Sequence, residues 1–210
     1  RRVETVRIDS KAHVDAHNAV FAKRCLLVLS ALGAFGLGAF EVALSLRSQR
    51  LWRWTPTDLG WLFAVCSLVM LAIQLLFFSR MRRYLQLKTL IVGGFVVMAG
   101  GFALLANAVT YAVVMTLVAI IAFGAGVLLL ALSVATADKA KHRAGLSFGY
   151  QNAAGNFGQA AGSAFAGLLF TSLPKLSFDI VAVLMALTAV TVWGLTRWRA
   201  DLFAAALLKP

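Results

Sequence analysis

Long apolar stretches occupy most of this chain of 210 residues. A helix that rises ~1.5 Å per residue needs about 20 residues to cross a hydrocarbon core of about 30 Å. Six stretches meet or nearly meet that length, at residues 21–46, 57–79, 89–109, 112–137, 145–171 and 178–196. The sequence therefore predicts an all-α, polytopic membrane protein: one bundle of six transmembrane helices at 21–200, a polar leader at 1–20 and a tail at 201–210.

The composition argues against a soluble protein. Charged residues make up 13% of the chain, whereas a soluble domain usually carries about 25%. Too few polar residues remain to cover the outside of a soluble helical core. The net charge of +12 could suggest nucleic acid as a partner, but the basic residues lie in the short connections, where they set membrane topology. We therefore expect membrane lipid, and no nucleic acid, around the bundle.

The basic residues also predict an orientation. Sixteen of the 20 Lys and Arg residues fall on the side that holds both chain ends and the second and fourth connections. Because basic loops are retained in the cytoplasm, we expect a multi-pass protein of the cell (inner or plasma) membrane with both termini cytoplasmic. The exceptions on the other side are Arg47, Arg50, Arg53 and Lys175.

The second span has a sharp predicted start. Thr55 precedes Pro56, which suits the first helical position, and Asp58 follows three residues after Thr55. This spacing predicts a capping box, in which Thr55 and Asp58 satisfy each other's backbone N–H groups.

Glu41 is the only carboxylate well inside a predicted span. It precedes Arg47 by six residues, which places it about 9 Å from the outer end of the first helix. A carboxylate inside the membrane is costly and by default marks a substrate or proton pathway. The alternative is a glutamate near the interface that is solvated or paired with an outer arginine.

The fifth span carries a polar stripe. Its four residues recur at spacings of four, three and four, so they share one helix face: Asn152, Asn156, Gln159 and Ser163. Gly145 with Gly149, and Gly158 with Gly162, form two small-xxx-small pairs, which allow close helix approach. The stripe either lines an aqueous cavity or hydrogen-bonds to a neighbouring helix, and the sequence leaves both interpretations open. Gln74, near the inner end of the second span, is either cavity-lining or structural.

The sequence contains no recognisable catalytic or metal-binding constellation. His13 and His17 have a spacing that could bind a metal on a helix, but they lie in the polar leader beside Asp15, where a solvated face is the simpler interpretation. There is no phosphate-binding loop, no G-x-S-x-G motif and no pair of intramembrane aspartates. We therefore expect no enzyme activity, no cofactor and no metal.

The chain resembles one six-helix half of a major facilitator superfamily transporter over roughly residues 21–200. The segment TPTDLGWLFAVCSLVMLAIQ is similar to the start of the eighth helix in drug-efflux members, and the polar leader suggests the C-terminal half of a longer protein. FFSRMRRYLQLKTLIVGG stands where the family has its second conserved loop, G-x-L-x-D-R-x-G-R-R. Ser79 replaces the aspartate of that motif, the glycines are missing, and the charge is kept by Arg80, Arg82 and Arg83.

This resemblance implies transport by alternating access, in which two six-helix bundles rock around a site at mid-membrane. It implies that the first and fourth helices line the cavity and that the third and sixth face lipid. Glu41 would be the proton-coupling or cation-recognising carboxylate, and Arg80, Arg82 and Arg83 would hold the cytoplasmic gate. Because one half cannot enclose a path, an N-terminal six-helix half or a second copy is expected as a partner.

The predicted function is therefore secondary active transport of a small organic solute, coupled to protons and of the efflux-antiport type. The alternative is a non-transporting six-helix sensor, anchor or assembly module of a larger protein. The lost motif residues in the second loop favour that alternative, and a paired N-terminal bundle would argue against it.

Overall fold

The computed structural model describes residues 2–77, 80, 83–140, 144–173 and 176–198. Within these ranges the regular structure is helical, as the sequence predicts, and contains no strand. The long helices are α1 (Arg2–Arg47), α2 (Pro56–Ala72), α3 (Leu87–Leu105), α4 (Tyr111–Ala140), α5 (Ala144–Ser172) and α6 (Ser177–Trp198). Two π-helical turns, Ser48–Trp52 and Ile73–Phe77, extend α1 and α2. Ser79 and Arg82 lie outside the described residues, as does the predicted tail at 201–210.

The first helix is longer than the apolar stretch that predicts it. α1 begins at Arg2 and includes the leader, because residues 2–20 contain neither proline nor glycine to end a helix. Its membrane-compatible part begins at Val20.

Five segments of the described chain are long and apolar enough to cross a membrane. They are Val20–Arg50, Pro56–Leu76, Leu87–Leu105, Tyr111–Asp138 and Ser177–Arg197. α5 has 29 residues and is also long enough, but its polar stripe makes it less apolar than these five. The chain is therefore a membrane helical bundle, and a sixth crossing by α5 remains a prediction.

The predicted capping box is present at the start of α2. The Thr55 hydroxyl accepts from the Asp58 N–H at 3.3 Å, and the Thr55 N–H donates to Asp58 Oδ2 at 2.9 Å. Pro56 occupies the first helical position. Because both orphan donors are satisfied locally, α2 begins at a fixed point of the chain.

The packing places α1 and α4 at the centre of the bundle. α1 lies along α5, α3 lies between α4 and α6, and α2 packs against α4. α3 and α4 approach closely at two glycines. A methyl group on Gly94 would lie 3.0 Å from the Gly124 carbonyl oxygen, and a methyl group on Gly124 would lie 3.1 Å from the Gly94 carbonyl oxygen. Small residues let these backbones meet, and dispersion contacts rather than water exclusion hold such helices together in lipid.

A buried arginine joins three helices at one end of the bundle. The Arg47 side chain, 9% exposed, donates from a terminal guanidinium nitrogen to the Ala106 carbonyl, just beyond α3, at 2.8 Å. Its guanidinium carbon lies 5.1 Å from the centre of the Trp52 ring and 5.4 Å from that of Phe178, in α6. The end of α1, the end of α3 and the start of α6 therefore meet here, at what we call the Arg47 end. The start of α3 and the end of α6 lie at the opposite end, the Arg197 end.

Candidate functional site

The polar residues of the fifth span lie beside the tightest helix contact in the bundle. A methyl group on Gly158 would collide with the Ala31 carbonyl of α1, and one on Gly162 would collide with that of Phe35. In the other direction, a methyl group on Gly38 would collide with the Gln159 carbonyl. We call this backbone-to-backbone contact the α1/α5 seam. Of the two predicted small-xxx-small pairs, Gly158 with Gly162 therefore faces α1, whereas a methyl group on Gly145 or Gly149 would meet no atom within 4 Å.

Glu41 and Gln159 meet across the seam. Gln159 Nε2 donates to Glu41 Oε2 at 3.2 Å. Glu41 is half-buried and Gln159 is exposed, so the pair sits where the seam opens onto the surface of the bundle. Glu41 also interacts electrostatically with the thiol of Cys66, on α2. The carboxylate thus lies between α5 and α2.

The polar stripe of α5 has two different environments. Ser163 Oγ donates to the Gly38 carbonyl at 3.3 Å, so Ser163 and Gln159 both bind α1. Asn152 and Asn156 lie one to two turns nearer the start of α5 and are exposed. One half of the stripe therefore hydrogen-bonds to a neighbouring helix, and the other half is exposed; a cavity along that exposed half stays a prediction.

Gln151 is a polar contact that the sequence interpretation missed. It lies off the stripe and is buried, and its Nε2 donates to Ser133 Oγ of α4 at 3.5 Å. Its Oε1 is buried without a hydrogen-bond partner. A glutamine next to a polar stripe gives no signal that it belongs to a different interface, so only the packing reveals this contact.

The remaining predicted site residues are not part of the hydrogen-bonded Glu41 pair. Gln74 is exposed in the π-helical turn Ile73–Phe77. Arg80 and Arg83 are exposed beyond the end of α2, and Arg82 is outside the described residues. Among the described residues no group of three or more His, Cys, Asp or Glu side chains comes together as a metal site.

Among the acidic residues of the membrane-compatible helices in the described chain, Glu41 is the one that lies well away from a helix end. Asp58 lies at the start of α2, Asp138 near the end of α4 and Asp179 near the start of α6. A single carboxylate at the edge of an otherwise apolar bundle can bind a proton or a cation, and it can accept hydrogen bonds from neighbouring amides.

The sequence profile of the Major Facilitator Superfamily matches residues 26–203. The chain belongs to the major facilitator superfamily. Because the match takes in all of the α1/α5 seam, the seam and Glu41 belong to the superfamily domain. Among curated proteins, none matches the chain significantly by sequence.

A member of the major facilitator superfamily is a membrane transporter, which accounts for a lipid environment and a small-molecule substrate. The apolar exposed faces of α3 and α6 suit contact with lipid, for example at Val96 and Val190. In this superfamily domain α1 and α4 are the central helices, and α1 carries the carboxylate.

Proposed function

We propose that this chain is the C-terminal half of a drug-efflux-like transporter that exchanges protons for a small organic solute across the cell membrane. The single observation that carries the proposal is Glu41, which is half-buried beside the open part of the seam and bonded to Gln159 at 3.2 Å. An ionisable group inside a membrane protein commonly marks a proton or ion pathway.

In this proposal, binding or release of a proton at Glu41 changes the hydrogen bonds and the charge interactions that its side chain makes at the seam. An ionised carboxylate only accepts hydrogen bonds and attracts a cation, and its bond from the Gln159 amide is charge-assisted. A protonated carboxyl group loses that charge and gains an O–H donor. Binding of a proton therefore alters the α1/α5 contact and the attraction for a cationic solute together, which is the coupling that an antiporter needs.

The exposed half of the stripe supports a solute pathway next to Glu41. Asn156 lies three residues before Gln159, about 4.5 Å along the helix axis, and Asn152 lies a turn further. Exposed amides offer hydrogen-bond donors and acceptors to a polar solute. The free-energy cost of exposing them is lower when they face water than when they face lipid. Gln74 extends this pathway in the proposal.

The surface of α2 supports the need for a partner bundle. α2 is the least buried of the five apolar segments, and it exposes large side chains along its length, among them Leu68, Leu71, Leu75 and Leu76. Together with the open face of α5, this surface fits an N-terminal six-helix half or a second copy. Arg80, Arg82 and Arg83 then hold the cytoplasmic gate through charge pairs with that partner.

Transport by the full-length protein in sealed vesicles tests the proposal. We expect an imposed pH gradient to drive movement of a fluorescent organic cation such as ethidium. Glu41→Gln should lose nearly all of the gradient-driven flux, because glutamine cannot take up a proton, whereas Glu41→Asp should keep part of it. Wild-type flux in a folded Glu41→Gln variant would contradict the role of Glu41. Absence of flux in every variant would favour the sensor or anchor module, which the replacement at Ser79 also favours.

A further inference from the structure

An apolar groove runs between α3 and α6, on the side of the bundle away from Glu41. Its volume is about 660 Å³, and all the side chains that line it are apolar. Small residues form much of the lining, among them Gly100 and Ala103 of α3 and Ala186 of α6. A methyl group on Gly100 would have no atom within 4 Å, so the groove is open space that the protein itself does not fill.

The groove has the dimensions of a lipid tail. Its lining runs from Val92 to Ala103 on α3 and from Ala182 to Trp193 on α6, twelve residues and about 16 Å on each helix. One leaflet of a hydrocarbon core of about 30 Å is about 15 Å deep. A single extended acyl chain therefore matches most of the groove in length.

Two cations stand at one mouth of the groove, at the Arg197 end. Lys88 precedes the lining residue Val92 by four positions, and Arg197 follows the lining residue Trp193 by four. Residues four apart share a helix face, so both cations continue the two walls of the groove. The Arg197 guanidinium stacks 4.3 Å from the centre of the Trp193 ring, and in this geometry its in-plane N–H groups can donate to an anion.

The other mouth carries a carboxylate beside a cation instead of two cations. Asp179 lies four residues before the lining residue Val183, and it interacts electrostatically with the buried Arg47. The two cations in register with the groove walls therefore stand at the Arg197 end, which favours a negatively charged headgroup there.

We propose that this groove binds one acyl chain of an anionic phospholipid, whose phosphate is held by Lys88 and Arg197. The guanidinium offers paired donors to phosphate oxygens, and the lysine ammonium adds a mobile point charge. The acyl chain makes dispersion contacts with the lining side chains, and an empty groove would lack those contacts. The proposal does not depend on the transport mechanism, because the groove and Glu41 lie on different helix pairs.

A second copy of the chain fits the groove less well than a lipid. Soluble and membrane homodimers are usually two-fold symmetric. A two-fold axis along the membrane normal would bring Lys88 and Arg197 of both copies to the same end, so that four cations would face one another. Such like-charge contact opposes association.

Native mass spectrometry of the purified full-length protein tests the preference for the headgroup. Phosphatidylglycerol and phosphatidylcholine with identical acyl chains are added separately, and retained lipid is counted. We expect one phosphatidylglycerol to be retained preferentially. The preference should fall about fivefold in Lys88→Gln or Arg197→Gln and about thirtyfold in the double variant, because each cation near an anionic lipid surface adds a similar increment.

A matched pair of glycine variants tests the tail. Gly100→Leu places a side chain in the groove and should lower the retention of both lipids. Gly93→Leu makes the same change seven residues earlier on α3, at a position that does not line the groove and where a methyl group also meets no atom within 4 Å. It should leave retention unchanged. Ala186→Leu, on the facing wall, gives the same readout if Gly100→Leu does not fold.

Fluorescence quenching gives a second test, whose main comparison uses the unmodified protein. Trp193 lines the groove, so brominated phosphatidylglycerol should quench more emission than brominated phosphatidylcholine, and Trp193→Phe should remove the difference. Equal quenching by both lipids would overturn the proposal. Equal behaviour of the two glycine variants would overturn it as well, as would a dimer mass that disappears in Gly100→Leu, which would assign the groove to a second copy.

Discussion

Arg47 shows how one side chain can join elements that are far apart in the sequence. Its guanidinium binds a carbonyl 59 residues away, the one on Ala106, and it contacts two aromatic rings. It does so at the end of a membrane helix, where an arginine normally reaches for water. Arg47 is instead 9% exposed, and its Nε has no hydrogen-bond partner, so the contacts with Ala106, Trp52 and Phe178 must offset the cost of burial.

Replacement of Arg47 tests this role. Arg47→Ala should lower the melting temperature in detergent by about 4–8 °C, since it removes a hydrogen bond from a charged donor and two cation–π contacts worth about 2 kcal/mol together. Arg50→Ala is the control, because Arg50 is exposed and contacts one ring, that of Phe170 at 5.3 Å. It should change the melting temperature by less than half as much. Similar shifts for both variants would show that Arg47 acts only as part of a charged surface.

At the same scale, Glu41 could be singled out from the sequence but its partners could not. An isolated carboxylate in an apolar run is conspicuous in the sequence. Its hydrogen bond comes from Gln159, which is 118 residues away, and no local pattern links the two positions. Arg47 was likewise expected only as one of several outer-loop arginines, because burial of an arginine depends on packing.

At the scale of the element, the α1/α5 seam decides how α5 is held. Gly158 and Gly162 repeat every four residues, and the α1 carbonyls that they meet, those of Ala31 and Phe35, are also four apart. The two backbones therefore match turn by turn. Periodicity predicted that this face of α5 packs closely, but periodicity defines a face and does not name the helix that covers it.

A single methyl group should disrupt this seam. Gly162→Ala should destabilise the bundle by about 1–3 kcal/mol, because overpacking forces the backbones apart. At Gly167, five residues later on α5, an added methyl group would have no atom within 4 Å. Gly167→Ala should be neutral or stabilising, since alanine favours a helix by about 1 kcal/mol over glycine. Thermal unfolding of the two variants in detergent provides the comparison, and equal stability would contradict the seam.

At the scale of the whole molecule, burial is uneven around the bundle. α4 contacts α1, α2, α3 and α5, whereas α2 packs mainly on α4 and leaves most of its surface exposed. Helix positions and the start of α2 follow from apolar runs and from the capping box, which are local signals. The unequal burial could not be predicted from the sequence, because α2 and α4 are both predominantly apolar.

The exposed face of α2 should be the one that meets another bundle. In a background with Cys25 and Cys66 replaced by serine, Leu71→Cys should form disulfide cross-links with cysteines introduced into the partner bundle. Leu187→Cys, equally apolar and exposed on α6, should not. Gel mobility after mild oxidation measures both. Cross-linking through Leu187 but not Leu71 would place the partner on the α6 side and contradict the proposed arrangement.

The lower apolarity of α5 has a consequence for how the protein is made. A segment with several polar side chains and many glycines enters a bilayer poorly when it is alone. α1 is synthesised more than a hundred residues before the seam residues of α5, so the carbonyl of Gly38 and the carboxylate of Glu41 are already in place when Ser163 and Gln159 emerge from the ribosome. We therefore expect insertion of α5 to depend on the earlier helix, and damage to α1 at these positions to reduce the amount of protein that reaches the membrane.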